Sequence, residues 1–314
     1  MTAIAIALSL AWPVYNLFLA VFALRRPRPR PRQPEHTAGL HFWILVPGGD
    51  AWDAVFDSPR YPVRVLAVGR GADALDEACR AIRDVAADQG IERRTVIGVV
   101  DGQPEPGLIG EVAAYFGGRN VGAVQCRVRV PARGGLLGFL QDLESAVAGD
   151  AAQRARDLLS GVLLGANGQF VRLDVLARLG DRPWSGSLEH RIDQAGMAIR
   201  YATDAVVRQS VRPVRPGSWA LAVVSGALAA SAVVSGTYVW LSALLLPGLV
   251  WGLLHRVRFG GQPWHRTLGA AVLYPIYLGL RRASPACVTN AVPPSQPGLL
   301  PWAGDNPGLS ARRP

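Results

Sequence analysis

Thr95-Val-Ile-Gly-Val-Val100 runs straight into Asp101-Gly102. Five β-branched residues around one glycine, with no polar alternation, read as a strand buried on both faces, as the strands of parallel sheets are. The Asp-Gly pair ends it in a turn. Two upstream runs have the same form. His41-Phe-Trp-Ile-Leu-Val46 stops at Pro47-Gly48-Gly49, and Val63-Arg-Val-Leu-Ala-Val68 stops at Gly69-Arg70-Gly71. Between the second and third runs, Asp73–Gln89 places Leu75, Ala78, Cys79, Ile82 and Val85–Ala86 on one helical face. Leu108–Phe116 reads as another helix and Val121–Val130 as another strand. This alternation predicts an α/β domain with a mostly parallel sheet and helices on both faces. Ligands of such sheets bind beyond the carboxyl ends of the strands, where Gly48, Gly69 and Asp101 stand.

The charge of the 314-residue chain is unevenly placed. All 33 basic residues are arginine, and the formal net charge is +10. Arginine without lysine, alongside abundant alanine, glycine and proline, matches a GC-rich bacterial genome. Five arginines lie between Arg25 and Arg32, and seven between Arg256 and Arg313. Residues 33–255 hold 21 arginines against 22 acids, so the centre is nearly neutral. A nucleic-acid binder would carry its excess on a folded face, so that class is excluded. Cys79, Cys126 and Cys287 are too scattered for a disulfide framework or a zinc site.

The hydrophobic share is 50%, the charged share only 18%, and the mean hydropathy is +0.19. Residues 1–24 carry no charge and precede the basic Pro/Arg linker 25–40. About 20 apolar residues suffice to span a bilayer, so a transmembrane helix is expected there. A cleaved signal peptide would have its positive residues before the apolar core, not after it. Residues 216–254 are also uncharged and predict a hairpin of two spans, near Trp219–Ser235 and Tyr238–Leu254. Residues 264–282 hold a shorter apolar stretch with Pro275, expected as an interfacial or fourth transmembrane helix. The flanking arginines put the domain at 41–215 in the cytoplasm of a multi-pass protein of the bacterial inner membrane. The tail 283–314, rich in Pro, Gly and Ser, is expected to be disordered.

Four segments, in order, carry a resemblance. They are VIGVVDGQPEP (96–106), VGAVQCRVRV (121–130), GANGQFVRLDVLARLG (165–180) and LEHRIDQAGMAIRYATDAVV (188–207). Together they resemble a membrane-anchored family 2 glycosyltransferase with the GT-A fold. The resemblance implies inverting transfer of a sugar from a nucleotide-sugar to a lipid or polysaccharide acceptor at the membrane face. It implies a divalent cation, Mg²⁺ or Mn²⁺, held by Asp101 with Glu105, and Glu189 as the catalytic base with Asp101 also at the catalytic centre. Gly69, Asp73, Gln125, Asn167 and Gly168 would line the substrate pocket.

The same segments depart from the family at the acids. Gln103 stands at the second metal position, Ser185 where spacing places the base, and Gly69 where the family has a uridine-contacting acid. The arginines Arg208, Arg212 and Arg215, with Trp219, do not reproduce the family's pyrophosphate clamp. An alternative follows: a catalytically inactive GT-A-like membrane protein, acting as a binding or assembly partner in envelope glycan synthesis.

Overall fold

The structure is a computed structural model that describes residues 2–25, 37, 39–48, 56, 58–118, 120–130, 135–159, 161–165, 167–184, 187–210, 238–260 and 263–283. Its centre is a seven-stranded mixed sheet. The strands are β1 (His41–Pro47), β2 (Val63–Val68), β3 (Thr95–Val99), β4 (Gln103–Pro104), β5 (Val121–Arg129), β6 (Gln169–Arg172) and β7 (Ala198–Arg208). They lie side by side in the order β2-β1-β3-β6-β5-β7-β4. β1, β2, β3, β5 and β7 point one way, while β6 and β4 run against them. The expected α/β domain is present, with those two strands reversed.

Alternation in the strands separates two apolar layers. Phe42, Ile44 and Val46 of β1 face one side with Val96, Phe170 and Val124. Helix α3 (Leu108–Tyr115) covers that side through Ile109 and Val112. Leu45, Ile97, Val99 and Val171 face the other side. There they meet α2 (Ala72–Asp88), and the short helices α6 (Leu173–Arg178) and α7 (Leu188–Gln194), through Ile82, Leu176 and Ile192. Gly98 is needed where the layers are thinnest: a Cβ there would lie 2.5 Å from the Phe170 ring.

A third apolar cluster belongs to helices. α1 (Thr2–Leu24), α4 (Gly135–Asp142), α5 (Asp150–Leu158), α8 (Tyr238–Phe259) and α9 (Trp264–Ala283) meet around Leu19, Phe139, Leu143, Trp251 and Tyr274. α1, α8 and α9 are the helices expected to flank the domain as membrane spans. That expectation is corrected: among the described residues no helix is long and apolar enough to cross a membrane. A multi-pass inner-membrane protein is therefore not supported. Polar groups of these helices have partners inside the protein. Asn16 is buried inside α1 and accepts a hydrogen bond from Trp251 Nε1 at 2.8 Å. α8 ends in His255, Arg256 and Arg258, and two of these reach into the domain's own carboxylates. α9 has arginines at positions 266, 281 and 282, leaving too short an apolar middle. The hairpin's first half, Trp219–Ser235, most of the linker and the tail lie outside the described residues.

Two buried carboxylates join these helices to the sheet. Asp142 accepts from Arg129 Nη2 of β5 at 3.0 Å, from the Val130 amide at 3.0 Å, and faces His255 Nε2 at 2.9 Å. Asp150 receives Arg154 at 2.8 Å, the Tyr201 hydroxyl of β7 at 2.9 Å, and Arg258; Arg127 of β5 stands 3.5 Å away. Residues eight apart on an α-helix lie about 80° apart around its axis. Between α4 and α5 the segment Leu143–Gly149 winds as a π-helix, and acids at both of its ends reach β5. The Phe259 ring sits among the cations, with the Arg129 guanidinium 3.9 Å from its centre.

Burial would raise the Asp142 carboxyl, but hydrogen bonds from His255 and Arg129 and their charges hold it below the ordinary carboxylate value. The folded chain thus binds this proton more weakly than the unfolded chain. Asp142 contributes stability above about pH 4, and that contribution is lost as pH falls through the lowered value. Urea unfolding midpoints measured from about pH 6 to about pH 3 should fall at the acid end. Asp142→Ala should cost about 3–5 kcal/mol at neutral pH, by stranding Arg129, and should lose that part of the acid dependence.

Candidate functional site

Since β1, β2, β3, β5 and β7 run in one direction, their carboxyl ends share one edge of the sheet. β6 and β4 begin at that edge because they run the other way. The residues following β3 and preceding β6 are therefore neighbours, although 66 positions apart in the chain.

Asn167 fastens them. Its Oδ1 accepts the Asp101 amide at 2.9 Å, and its Nδ2 donates to the Asp101 carbonyl at 2.8 Å. The same Nδ2 donates to Gln209 Oε1 at 3.3 Å, just beyond the end of β7. Gln125 of β5 completes the clasp. Its Nε2 donates to the carbonyls of Cys126 and Asn167, both at 2.9 Å, and its Oε1 accepts the Gly165 amide at 2.7 Å. Gly168, with φ +72°, donates its amide to Val99 at 2.9 Å and accepts the Cys126 amide at 2.7 Å. A side chain at 168 would press on Cys126, with Cβ atoms 3.2 Å apart. Gln125, Asn167 and Gly168 are all buried, and they shape the edge by holding backbone.

The three predicted carboxylates take separate positions along it. Asp101 is half-buried at the end of β3. After it the chain crosses the edge, and Gly102 packs so closely on β7 that a Cβ would sit 2.3 Å from the Arg208 carbonyl. Its φ of +146° likewise belongs to glycine. β4 then pairs with β7, and Glu105 accepts from Arg208 Nε and Nη2, both at 2.9 Å. Of the two expected metal ligands, Glu105 is thus engaged by a guanidinium. Among the described residues, no group of three or more His, Cys, Asp or Glu side chains gathers to hold a metal. Glu189 lies in the first turn of α7. Its Oε1 accepts the Leu164 amide at 3.1 Å and its Oε2 accepts from Ser187 Oγ at 3.3 Å.

At the other end of the edge, Gly69 is exposed beyond β2 and Asp73 occupies the first turn of α2, where an acid complements the helix dipole. Arg70 was not singled out by the sequence reasoning. Its exposed guanidinium lies over Gly48, so that a Cβ at 48 would be 2.9 Å from Arg70 Nε. The only signal for it in the sequence is an arginine between two glycines at a strand end.

No family model matches the chain, and no curated protein does. A solved structure described as that of a mycobacterial protein is 16% identical, with a TM-score of 0.34, over 76% of this chain and 82% of its own.

Asn167→Ala removes both sides of the Asp101 clasp. It should destabilise the chain by about 2–4 kcal/mol and raise hydrogen exchange at the Asp101 amide before the strand interiors open. Gly102→Ala should abolish soluble folded protein, as read by circular dichroism and size exclusion, because the clash is with backbone.

Proposed function

We propose that the carboxyl edge of β1, β2 and β3 binds a nucleotide-sugar, and that the chain serves as a GT-A-like binding or assembly partner in envelope glycan synthesis. The observation behind this is the engagement of the acids. Glu105 is tied to Arg208, and Glu189 uses both oxygens to hold the Leu164 amide and the Ser187 hydroxyl. Sugar transfer needs a positioned carboxylate to take the acceptor's proton, and stabilisation of the departing diphosphate. Here the first of these needs meets a carboxylate already bound into the fold.

Binding asks for less. Arg70 offers a charge-assisted contact to a diphosphate over the open backbone of Gly48. Mg²⁺ commonly uses one or two carboxylates together with substrate phosphates, so a Mg²⁺ or Mn²⁺ ion arriving with the diphosphate would meet Asp101. The cation would neutralise phosphate charge; Asp101 would orient it, and Arg70 would hold the far phosphate.

A second reading, transfer to a lipid or polysaccharide acceptor, is favoured by one observation. Glu189 accepts the Leu164 amide and Asn167 accepts the Asp101 amide, so both acids are tied to residues three positions apart in the chain.

Isothermal calorimetry with UDP, with and without Mg²⁺ or Mn²⁺, tests the proposal. Binding should depend on the cation and weaken about tenfold or more in Arg70→Ala and in Asp101→Asn. UDP-glucose should be bound without turnover. Turnover that disappears in Glu189→Gln would establish the second reading instead, and absence of binding by any nucleoside diphosphate would overturn both.

A further inference from the structure

The helices joined to the sheet through Asp142 and Asp150 leave an apolar exterior of their own. Val14, Phe18 and Val21 of α1 and Arg25 just after it fall at i, i+4, i+7 and i+11, one line along the helix. All four are exposed, and the three apolar side chains are each more than half exposed. On α9, Trp264, Leu268 and Val272 fall at i, i+4 and i+8, and they too are more than half exposed. Another side of each helix packs inward, through Asn16 and Leu19 on α1 and through Ala270 and Tyr274 on α9. A surface helix ordinarily turns its apolar stripe to the core and its polar residues outward. Here the outward lines are apolar as well.

The cations of these helices gather at one end. α1 finishes at the domain, where the Arg25 carbonyl accepts from Arg154 Nη1 at 2.9 Å. α8 finishes at the same place, since Arg154 and Arg258 share the Asp150 carboxylate. Asn16 and Trp251 hold α1 and α8 side by side, so the two run parallel. α9 begins at Trp264, shortly after α8 ends, and turns back along it with Thr267 against Gly252. Arg25, Arg256, Arg258, His265 and Arg266 thus stand at the domain end. There the Arg256 guanidinium lies 4.3 Å from the centre of the Trp264 ring. From that end both apolar lines run back along their helices.

Charge selects what covers this exterior. α1, α8 and α9 contain no aspartate or glutamate. A second copy of the chain, docked through the same helices, would bring arginine and no acid to meet arginine. A lipid surface with anionic headgroups supplies both complements at once, phosphate for the arginines and hydrocarbon for the apolar lines. A tryptophan between cations and apolar side chains suits that boundary, because it has an apolar body and one polar N–H. We propose that α1 and α9 dock on the surface of an anionic lipid bilayer. Arg25, Arg256 and Arg266 meet the headgroups, and Val14, Phe18, Leu268 and Val272 enter the boundary with the acyl chains. The contact is peripheral: side chains enter the interface and no helix crosses. It does not rest on nucleotide-sugar binding at the strand edge.

Flotation of the full chain with vesicles of phosphatidylcholine, alone or with about one third phosphatidylglycerol, tests it. The chain should float with the anionic vesicles and be released from them by an alkaline wash. Phe18→Glu and Leu268→Glu change exposed side chains, so each should weaken vesicle binding about tenfold or more with the thermal midpoint unchanged. Arg25→Gln should weaken binding to the anionic vesicles about fivefold, the effect of one basic residue near such a surface. Equal flotation with neutral and anionic vesicles, binding unchanged in both Glu variants, or retention through the alkaline wash would each overturn the proposal. Absence of flotation would overturn it too, and a dimer split by Phe18→Glu would then assign the face to a second copy.

Discussion

Asp142 and Asp150 hold the molecule in one piece. Each is fully buried, and each takes partners from two elements far apart in the chain, β5 and the end of α8, with Arg154 of α5 added at Asp150. A buried ion pair gives little net stability compared with an apolar pair of the same shape, but removing one member leaves a charge in low dielectric. The consequence is geometric. Arg127 and Arg129 fix where α4, α5 and the π-turn between them can sit on the sheet, and His255 and Arg258 fix α8 against that surface. Trp251 and Asn16 then tie α1 to α8, and the aromatic residues of α9 close the cluster. Arg258, expected as a flanking charge beside a membrane span, is therefore a joint of the fold, and His255 is another.

The strand edge obeys a similar economy of polar groups. Breaking the sheet with an antiparallel β6 leaves backbone amides at residues 101 and 165 near the ends of β3 and β5, with no ladder to satisfy them. Two side-chain amides, Asn167 and Gln125, take them up. Amides suit this task because each carries both a donor and an acceptor. The outcome is a rigid floor with its ionisable groups displaced to the rims: Arg70 beyond β2, Asp101 above the clasp, and Arg208 with Glu105 at β7.

Much of this was legible from residue pattern. Apolar runs at 41–46, 63–68 and 95–100 became β1, β2 and β3 within a residue, because turn residues bound each run; of the three only β3 is buried along its whole length, while β2, at the sheet's edge, is largely exposed. The stripe from Leu75 to Ala86 became α2 for the same kind of reason. The reversal of β6 was not legible, since direction depends on where the intervening chain packs and not on its local pattern. The backbone contacts of Gln125 and Asn167 were hidden too: nothing local marks that their partners include backbone groups 40 or more positions away. The helices at 2–24, 238–259 and 264–283 were visible as apolar segments. What could not be read was that Asn16 and His255 have partners inside the protein, because nothing local marks a polar residue as paired.

The acid inventory connects these points. Apart from Asp305, the carboxylates lie between Glu35 and Asp204, in a region whose net charge is close to zero. Near neutrality in such a region can mean that acids and arginines are scattered on the surface, or that they neutralise each other within the fold. Asp142, Asp150, Asp157, Asp174 and Glu105 all stand within salt-bridge distance of an arginine, and the first two are fully buried. Pairing on that scale explains why a chain with 33 arginines can have so compact a polar interior. It also makes the remaining acids informative. Asp76, also buried, is matched instead by a backbone donor, the Trp184 amide, so its part is to hold two segments of chain together.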